Sequence, residues 1–126
     1  MNLSILLADD SNFIRRILTK ELPDIFPGTD LTFTEAANGT QALELIIKTD
    51  FDLIFLDLTM PEKTGYQVLE ELKEKNIQAN VIVLTADVQA QAQKKVMALG
   101  AMGYIKKERP LNLIPLKAIL EDRGML

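Results

Sequence analysis

Three acids, a hydroxyl and two lysines stand at the ends of short apolar runs. Asp9 and Asp10 follow residues 4–8 (SILLA), Asp57 follows residues 53–56 (LIFL), Thr85 follows residues 81–84 (VIVL), and Lys106 and Lys107 end the run that opens at Gly103. An ionisable group placed directly after four apolar residues is costly to bury without a partner, which tilts Asp57 toward function. If the three carboxylates converge, they repel, and one pKa rises unless something neutralises the charge. A hard divalent cation with oxygen ligands does this well, and Mg²⁺ suits a few carboxylates plus a phosphoryl oxygen. With a hydroxyl donor and an ammonium nearby, the set forms a cradle for a phosphoryl group, because positioning and charge neutralisation are most of what its transfer requires. A carboxylate can itself be the nucleophile, giving an acyl phosphate.

Taken singly, each signal has an ordinary explanation. Asp9-Asp10 also reads as a solvated turn at a helix N-terminus, where acids are favoured. Thr85 also reads as strand material or a helix cap, Tyr104 as edge packing, and Lys106 and Lys107 as surface charge. What carries weight is that all of them fall at strand ends, and in this order.

The elements that must position them alternate strictly. Residues 4–8 read as a buried strand, and Ser11 can cap a helix whose inner face is Ile14, Ile17, Leu18 and Leu22. Pro23 and Pro27-Gly28 are expected to end that helix. Residues 31–36 (LTFTEA) read as a half-exposed second strand. After the Asn38-Gly39 turn, Thr40 is expected to cap a helix with Leu43, Ile46 and Ile47 inward. Residues 53–56 and 81–84 are wholly apolar, the pattern of central parallel strands covered on both faces. Between them, Met60-Pro61 breaks the chain and Thr64 starts a helix bearing Tyr66, Leu69 and Leu72. A fourth helix is expected over residues 89–99 with Ala92, Val96 and Leu99 inward, stopped by Gly100. The last strand covers residues 103–106, and Pro115 suits the first position of a final helix with Leu116, Ile119 and Leu120 packed. Five strands and five helices in alternation predict an α/β fold, a doubly wound five-stranded parallel sheet with helices on both faces. With strand order 2-1-3-4-5, the polar strand ends belong to adjacent strands, where open α/β sheets bind their ligands.

Bulk properties exclude other classes. A chain of 126 residues fits one domain, with no room for a second. There is no cysteine and no histidine, which removes disulfides, thiolate chemistry, Ser-His-Asp catalysis, Cys and His metal ligands and any phosphohistidine role for this chain. Net charge is −4 and no basic block occurs, so direct nucleic-acid binding is not expected. The N-terminus lacks a basic segment, and no apolar stretch approaches the roughly 20 residues that span a bilayer. A cytoplasmic protein with no membrane association is the expectation.

With these residues in place, the sequence resembles the receiver domains of two-component response regulators over residues 3–120. The motifs are Asp9-Asp10-Ser11; Asp57 with Met60, Pro61 and Gly65; Thr85-Ala86; and Gly100-Ala101 with Tyr104 and Lys107. The opening run with Arg15 and Leu18 is similar to that of stand-alone chemotaxis regulators. The resemblance implies that Asp57 is the phosphoacceptor and that Asp9, Asp10, Asp57 and the backbone carbonyl of Thr59 hold Mg²⁺. It implies that Thr85, with small Ala86 beside it, and Lys107 bind the phosphoryl group, and that Tyr104 changes rotamer as Thr85 is drawn inward. Lys107 is preferred to Lys106 because the family's lysine lies three residues after the aromatic. The implied function is a signalling switch that accepts a phosphoryl group from a histidine kinase, catalyses only its own phosphorylation and dephosphorylation, and signals through a downstream effector protein. It would act as a monomer or a phosphorylation-dependent dimer. The family's proline after the lysine is replaced by Glu108, and the next proline is Pro110. Other readings are a Mg²⁺-dependent aspartyl phosphatase, a flavin-binding module and a phosphorylation-independent adaptor. The first wants a second acid two residues after the nucleophile, where Thr59 stands. The second is opposed by Asp9-Asp10, which would repel a flavin phosphate, and the third by the intact acidic set.

Overall fold

The computed structural model describes residues 1–126. Strands β1 (Asn2–Ala8), β2 (Asp30–Ala36), β3 (Leu53–Asp57), β4 (Val81–Thr85) and β5 (Gly103–Lys106) alternate with helices α1 (Asn12–Ile25), α2 (Gly39–Lys48), α3 (Gly65–Glu74), α4 (Ala90–Ala98) and α5 (Ile114–Asp122). The strands form one sheet in the order β2-β1-β3-β4-β5, every neighbouring pair parallel. The flavodoxin-like topology and its strand order are as the sequence implies.

The two-residue side-chain period of a strand divides the core in two. Ile5, Leu7, Leu53, Phe55, Ile82 and Leu84 face α1 and α5, packing with Leu18, Leu22, Leu116 and Leu120. Leu6, Ala8, Ile54, Leu56, Val81 and Val83 face α2, α3 and α4, packing with Ala42, Ile46, Val68, Leu72 and Val96. Because β3 and β4 are covered on both faces, neither has a polar residue before its last position.

Local chemistry sets the helix ends. Ser11 accepts from the Ile14 N–H at 3.3 Å, and Thr64 forms a reciprocal capping box with Gln67. Some expectations need correction. Pro23 does not stop α1, which runs on to Ile25. Pro23 faces solvent within the last turn, so only one backbone bond is lost while Leu22 and Ile25 stay buried around it. The cap of α2 is Asn38 rather than Thr40: its side chain accepts from the Gln41 N–H at 2.8 Å. The buried face is Gly39, Ala42, Leu43 and Ile46, which leaves Ile47, one residue round from Ile46, about half exposed. Val96 is the only fully buried side chain of α4, with Ala92 and Leu99 partly covered. Beyond β5, the Arg109–Pro110 peptide is cis. No helix is long and apolar enough to cross a membrane.

Candidate functional site

Strand register assembles the polar ends. Ala8 is level with Leu56, so Asp9 and Asp57 emerge at the same height on neighbouring strands. Asp57 is level with Leu84, and Thr85 with Lys106. Side-chain alternation then sorts the lysines. Ile105 points to the α1/α5 face, so Lys107 does too, alongside Asp9 and Asp57, whereas Lys106 points to the other face. The Lys107 ammonium lies 3.1 Å from Asp9 Oδ2 and 3.2 Å from Asp57 Oδ2. Lys106 makes only a 3.6 Å contact with exposed Glu108. The same alternation puts Thr85 and half-buried Tyr104 together on the opposite face, beside Val83.

Asp9, Asp57 and Thr85 are buried, and they are the only polar residues of the chain that are. Asp10 is exposed, yet one carboxylate oxygen from each of Asp9, Asp10 and Asp57 lies within 4.8 Å of the others. Backbone donors hold two of the acids: the Ser11 N–H binds Asp9 Oδ1 at 2.8 Å and the Thr59 N–H binds Asp57 Oδ1 at 3.2 Å. Burial pushes the Asp57 carboxyl up to about 6, helped by the charge of Asp9 and opposed by the Thr59 N–H and Lys107. Burial also raises Asp9, against Ser11 and Lys107. At Lys107 burial acts downward, but the charges of Asp9 and Asp57 outweigh it and hold the ammonium above its ordinary value.

Lys107 does not satisfy the cluster. Asp9 Oδ2 is buried with no hydrogen bond directed at it, although the ammonium is near. Three carboxylates against one ammonium leave surplus negative charge and a buried oxygen that accepts no hydrogen bond, the condition that a bound cation relieves. The all-oxygen donor set, partly open to solvent at Asp10, fits Mg²⁺.

The Thr85 hydroxyl is engaged locally. It accepts from the Asp87 N–H at 3.0 Å and donates to the Asp87 carbonyl at 3.3 Å, while the Asp87 side chain holds the Gln89 N–H at 3.0 Å. Ala86 between them is exposed.

Two supporting residues carry no sequence signal of their own role. Arg15 donates to the Asp9 carbonyl oxygen and pairs with Glu35 Oε1 at 2.8 Å, so a guanidinium braces the backbone beneath the acidic pair. The sequence marks Arg15 only as part of the opening run similar to chemotaxis regulators, on the first turn of a helix that starts at the site, and does not say what it touches. Gly65 is the other: a Cβ there would sit 2.3 Å from the Asp57 carbonyl oxygen, so the chain after β3 turns back against the strand only without a side chain.

A 2-1-3-4-5 parallel sheet with buried acids, a hydroxyl and a lysine at its carboxyl ends defines the flavodoxin-like receiver class. Residues 5–120 match the model of the response regulator receiver domain, and the chain belongs to that family: it is a receiver domain of the two-component response-regulator type, a phosphorylation-activated switch. It is 38% identical to the chemotaxis protein CheY of Halobacterium salinarum over 103 residues, which cover 82% of each chain. It is 36% identical to the nitrate/nitrite response regulator NarL of Escherichia coli over 106 residues, 83% of this chain and 48% of that protein. The receiver domain of the Francisella response regulator 1452 superposes with a TM-score of 0.79 at 30% identity, covering 98% of this chain and 99% of that one.

Proposed function

We propose that Asp57 is the phosphoacceptor, that Asp9, Asp10, Asp57 and the Thr59 carbonyl hold Mg²⁺, and that the donor is the phosphohistidine of a histidine kinase. The observation that carries this reading is the buried Asp57 carboxylate, level with Asp9 and bridged to it by Lys107.

An Asp57 carboxylate oxygen attacks phosphorus as the bond from phosphorus to the donor imidazole breaks. The electron pair of that bond stays on the imidazole nitrogen, which takes a proton from water, and Asp57 becomes an acyl phosphate. With a pKa of about 6, Asp57 is largely ionised at neutral pH and available as the nucleophile. A Mg²⁺ held by Asp9, Asp10, Asp57 and the Thr59 carbonyl would supply positive charge for the phosphoryl oxygens. Lys107 stays protonated and neutralises the same oxygens from the β5 side. The Ser11 and Thr59 N–H groups orient Asp9 and Asp57 before reaction.

The acyl phosphate adds about 1.5–2 negative charges at the site. Thr85, next to Ala86 and free of a bulky neighbour, then exchanges its Asp87 contacts for the phosphoryl group, and the space it vacates on the α2/α3/α4 face admits Tyr104. The altered face of α4, β5 and α5 is read by a partner protein.

The test is mass spectrometry after incubation with acetyl phosphate and Mg²⁺. The wild type is expected to gain one phosphoryl group and Asp57→Ala none. Equal gain in both, or no gain in the wild type, defeats the reading.

A further inference from the structure

Gly39 opens α2 and lies against the loop that joins β3 to α3. An ideal Cβ on Gly39 would fall 1.8 Å from the Lys63 carbonyl oxygen and 2.8 Å from Lys63 Cβ. The nearer atom belongs to the backbone and cannot rotate aside. Gly39 has no positive φ, so close approach and not backbone freedom demands a glycine here. Its N–H also donates to the Pro61 carbonyl at 3.4 Å.

The loop it touches carries Thr59, whose N–H binds Asp57 Oδ1. The loop is tightly wound. Its ends are tied by the Gly65 N–H to the Leu58 carbonyl at 3.0 Å, and within it Lys63 N–H donates to Pro61 at 2.8 Å around Glu62, a non-glycine residue at φ +68°. A three-residue turn of that hand is strained and persists only where its surroundings hold it. The opposing surface is firm: Asn38 accepts from the Gln41 N–H at 2.8 Å, and Gln41 Oε1 accepts from the Ala37 N–H at 3.1 Å.

We propose that Gly39 is a positioning residue for the phosphoryl chemistry: by having no side chain, it lets the start of α2 hold the Leu58–Gly65 turn where Thr59 meets Asp57. The proposal rests on the reading of the site given above. A Cβ at position 39 pushes the Lys63 peptide outward. The doubly capped start of α2 resists, while Thr59, Pro61 and Glu62 on the loop are exposed, with no packed side chains of their own to hold them. Since Leu58 and Gly65 are tied together, the displacement is absorbed between them, and Thr59 moves with it.

The experiment compares Gly39→Ala with Ala42→Gly, which weakens the same helix from its buried side and adds no atom against Lys63. Four readouts are taken: thermal unfolding and amide resonances without metal, Mg²⁺ binding by calorimetry, and the rate of phosphorylation by acetyl phosphate. Gly39→Ala is expected to weaken Mg²⁺ binding about tenfold or more, the scale seen when a support behind metal ligands is removed, and to slow phosphorylation in step. In the metal-free protein it is expected to shift the Thr59 and Lys63 amide resonances. Ala42→Gly is expected to lower the melting temperature and leave Mg²⁺ affinity within twofold. If Gly39→Ala loses stability but keeps wild-type Mg²⁺ affinity and rate, the helix has yielded rather than the loop, and the proposal is wrong. Should Gly39→Ala not fold, Glu62→Gly relaxes the turn. The double variant is then expected to bind Mg²⁺ more weakly than Glu62→Gly alone, and equality overturns the proposal. A wild type that binds no Mg²⁺ and takes no phosphoryl group would instead remove the underlying reading of the site.

Discussion

The middle of the sheet and its carboxyl-end rim are built on opposite terms. Across the middle, Ile5, Leu7, Leu53, Phe55, Ile82 and Leu84 are apolar and essentially inaccessible. One residue past the last rung between β1 and β3, the same side-chain columns present Asp9 and Asp57, buried and close to one another. The rim therefore holds unfavourable charge that the middle of the sheet supports. The difference shows where such a sheet can place chemistry: at the strand end, where burial is deep enough to perturb a carboxyl but solvent is within one or two residues, at Asp10 after Asp9 and at Thr59 after Asp57.

The sharpest way to break this contrast is to substitute along a single strand. Phe55 and Asp57 are two residues apart and share a face. Phe55→Ala is expected to lower unfolding free energy by about 3–5 kcal/mol, the range for truncating a buried aromatic. Asp57→Asn is expected to act the other way in metal-free protein, raising stability by about 1–2 kcal/mol at neutral pH, because it removes a buried charge from beside Asp9. Denaturant titration of the two variants checks both signs. A loss at both positions would mean that the rim is ordinary core.

A smaller effect separates the two lysines. Lys107→Ala strips Asp9 and Asp57 of their shared counter-charge, and a loss of about 1–3 kcal/mol is expected, below the full value for a buried pair because Lys107 is partly exposed. Mg²⁺ is expected to restore part of it. Lys106→Ala is expected to stay within about 0.5 kcal/mol. Melting curves with and without Mg²⁺ distinguish them.

The pH dependence runs against the usual carboxylate case. A folded pKa of about 6 lies above the ordinary 3.8 of an aspartate, so the folded state holds this proton more tightly than the unfolded chain. Below about pH 4 both states are protonated and the group has no effect. As pH rises from about 4 to 6, the folded state must give up a proton that it holds more firmly, and stability falls. Metal-free protein is expected to show this decline, and Asp57→Asn a smaller one, since buried Asp9 is raised in the same direction. Saturating Mg²⁺ is expected to abolish it, because the cation favours the ionised form.

Much of this was legible in the sequence because the fold's rules and the site's rules coincide. Wholly apolar runs ending at Asp57 and Thr85 mark central strands, and in such a sheet the ends of central strands are where ligands bind. Spacing alone did not separate Lys106 from Lys107; the family resemblance selected Lys107, and the strand frame set by the packing of Ile105 gives the physical reason for their different directions. Helix ends were harder, since Asn38 and Thr40 are both good caps and the hydrogen bond to Gln41 decides between them. Contacts between segments distant in sequence, such as Gly39 on Lys63, leave no local pattern.

The smallest expected effect tests how far the rim's support extends. Arg15 donates to the Asp9 carbonyl, to Glu35, whose side chain is about half exposed, and to Asn12 Oδ1 at 3.3 Å. An ion pair to such a partner contributes little, so Glu35→Gln is expected to change stability by less than about 0.5 kcal/mol and leave Mg²⁺ binding unchanged. Arg15→Gln also removes a charged donor from the backbone that joins the two acids of the pair. Its stability loss is expected to be about 0.5–1.5 kcal/mol, with Mg²⁺ binding several-fold weaker because Asp9 and Asp10 are less firmly oriented. Calorimetric Mg²⁺ titration of the two variants separates the contacts. Matched affinities would show that the acidic pair is held by the sheet alone, and that the rim's organisation ends with the residues that touch the carboxylates.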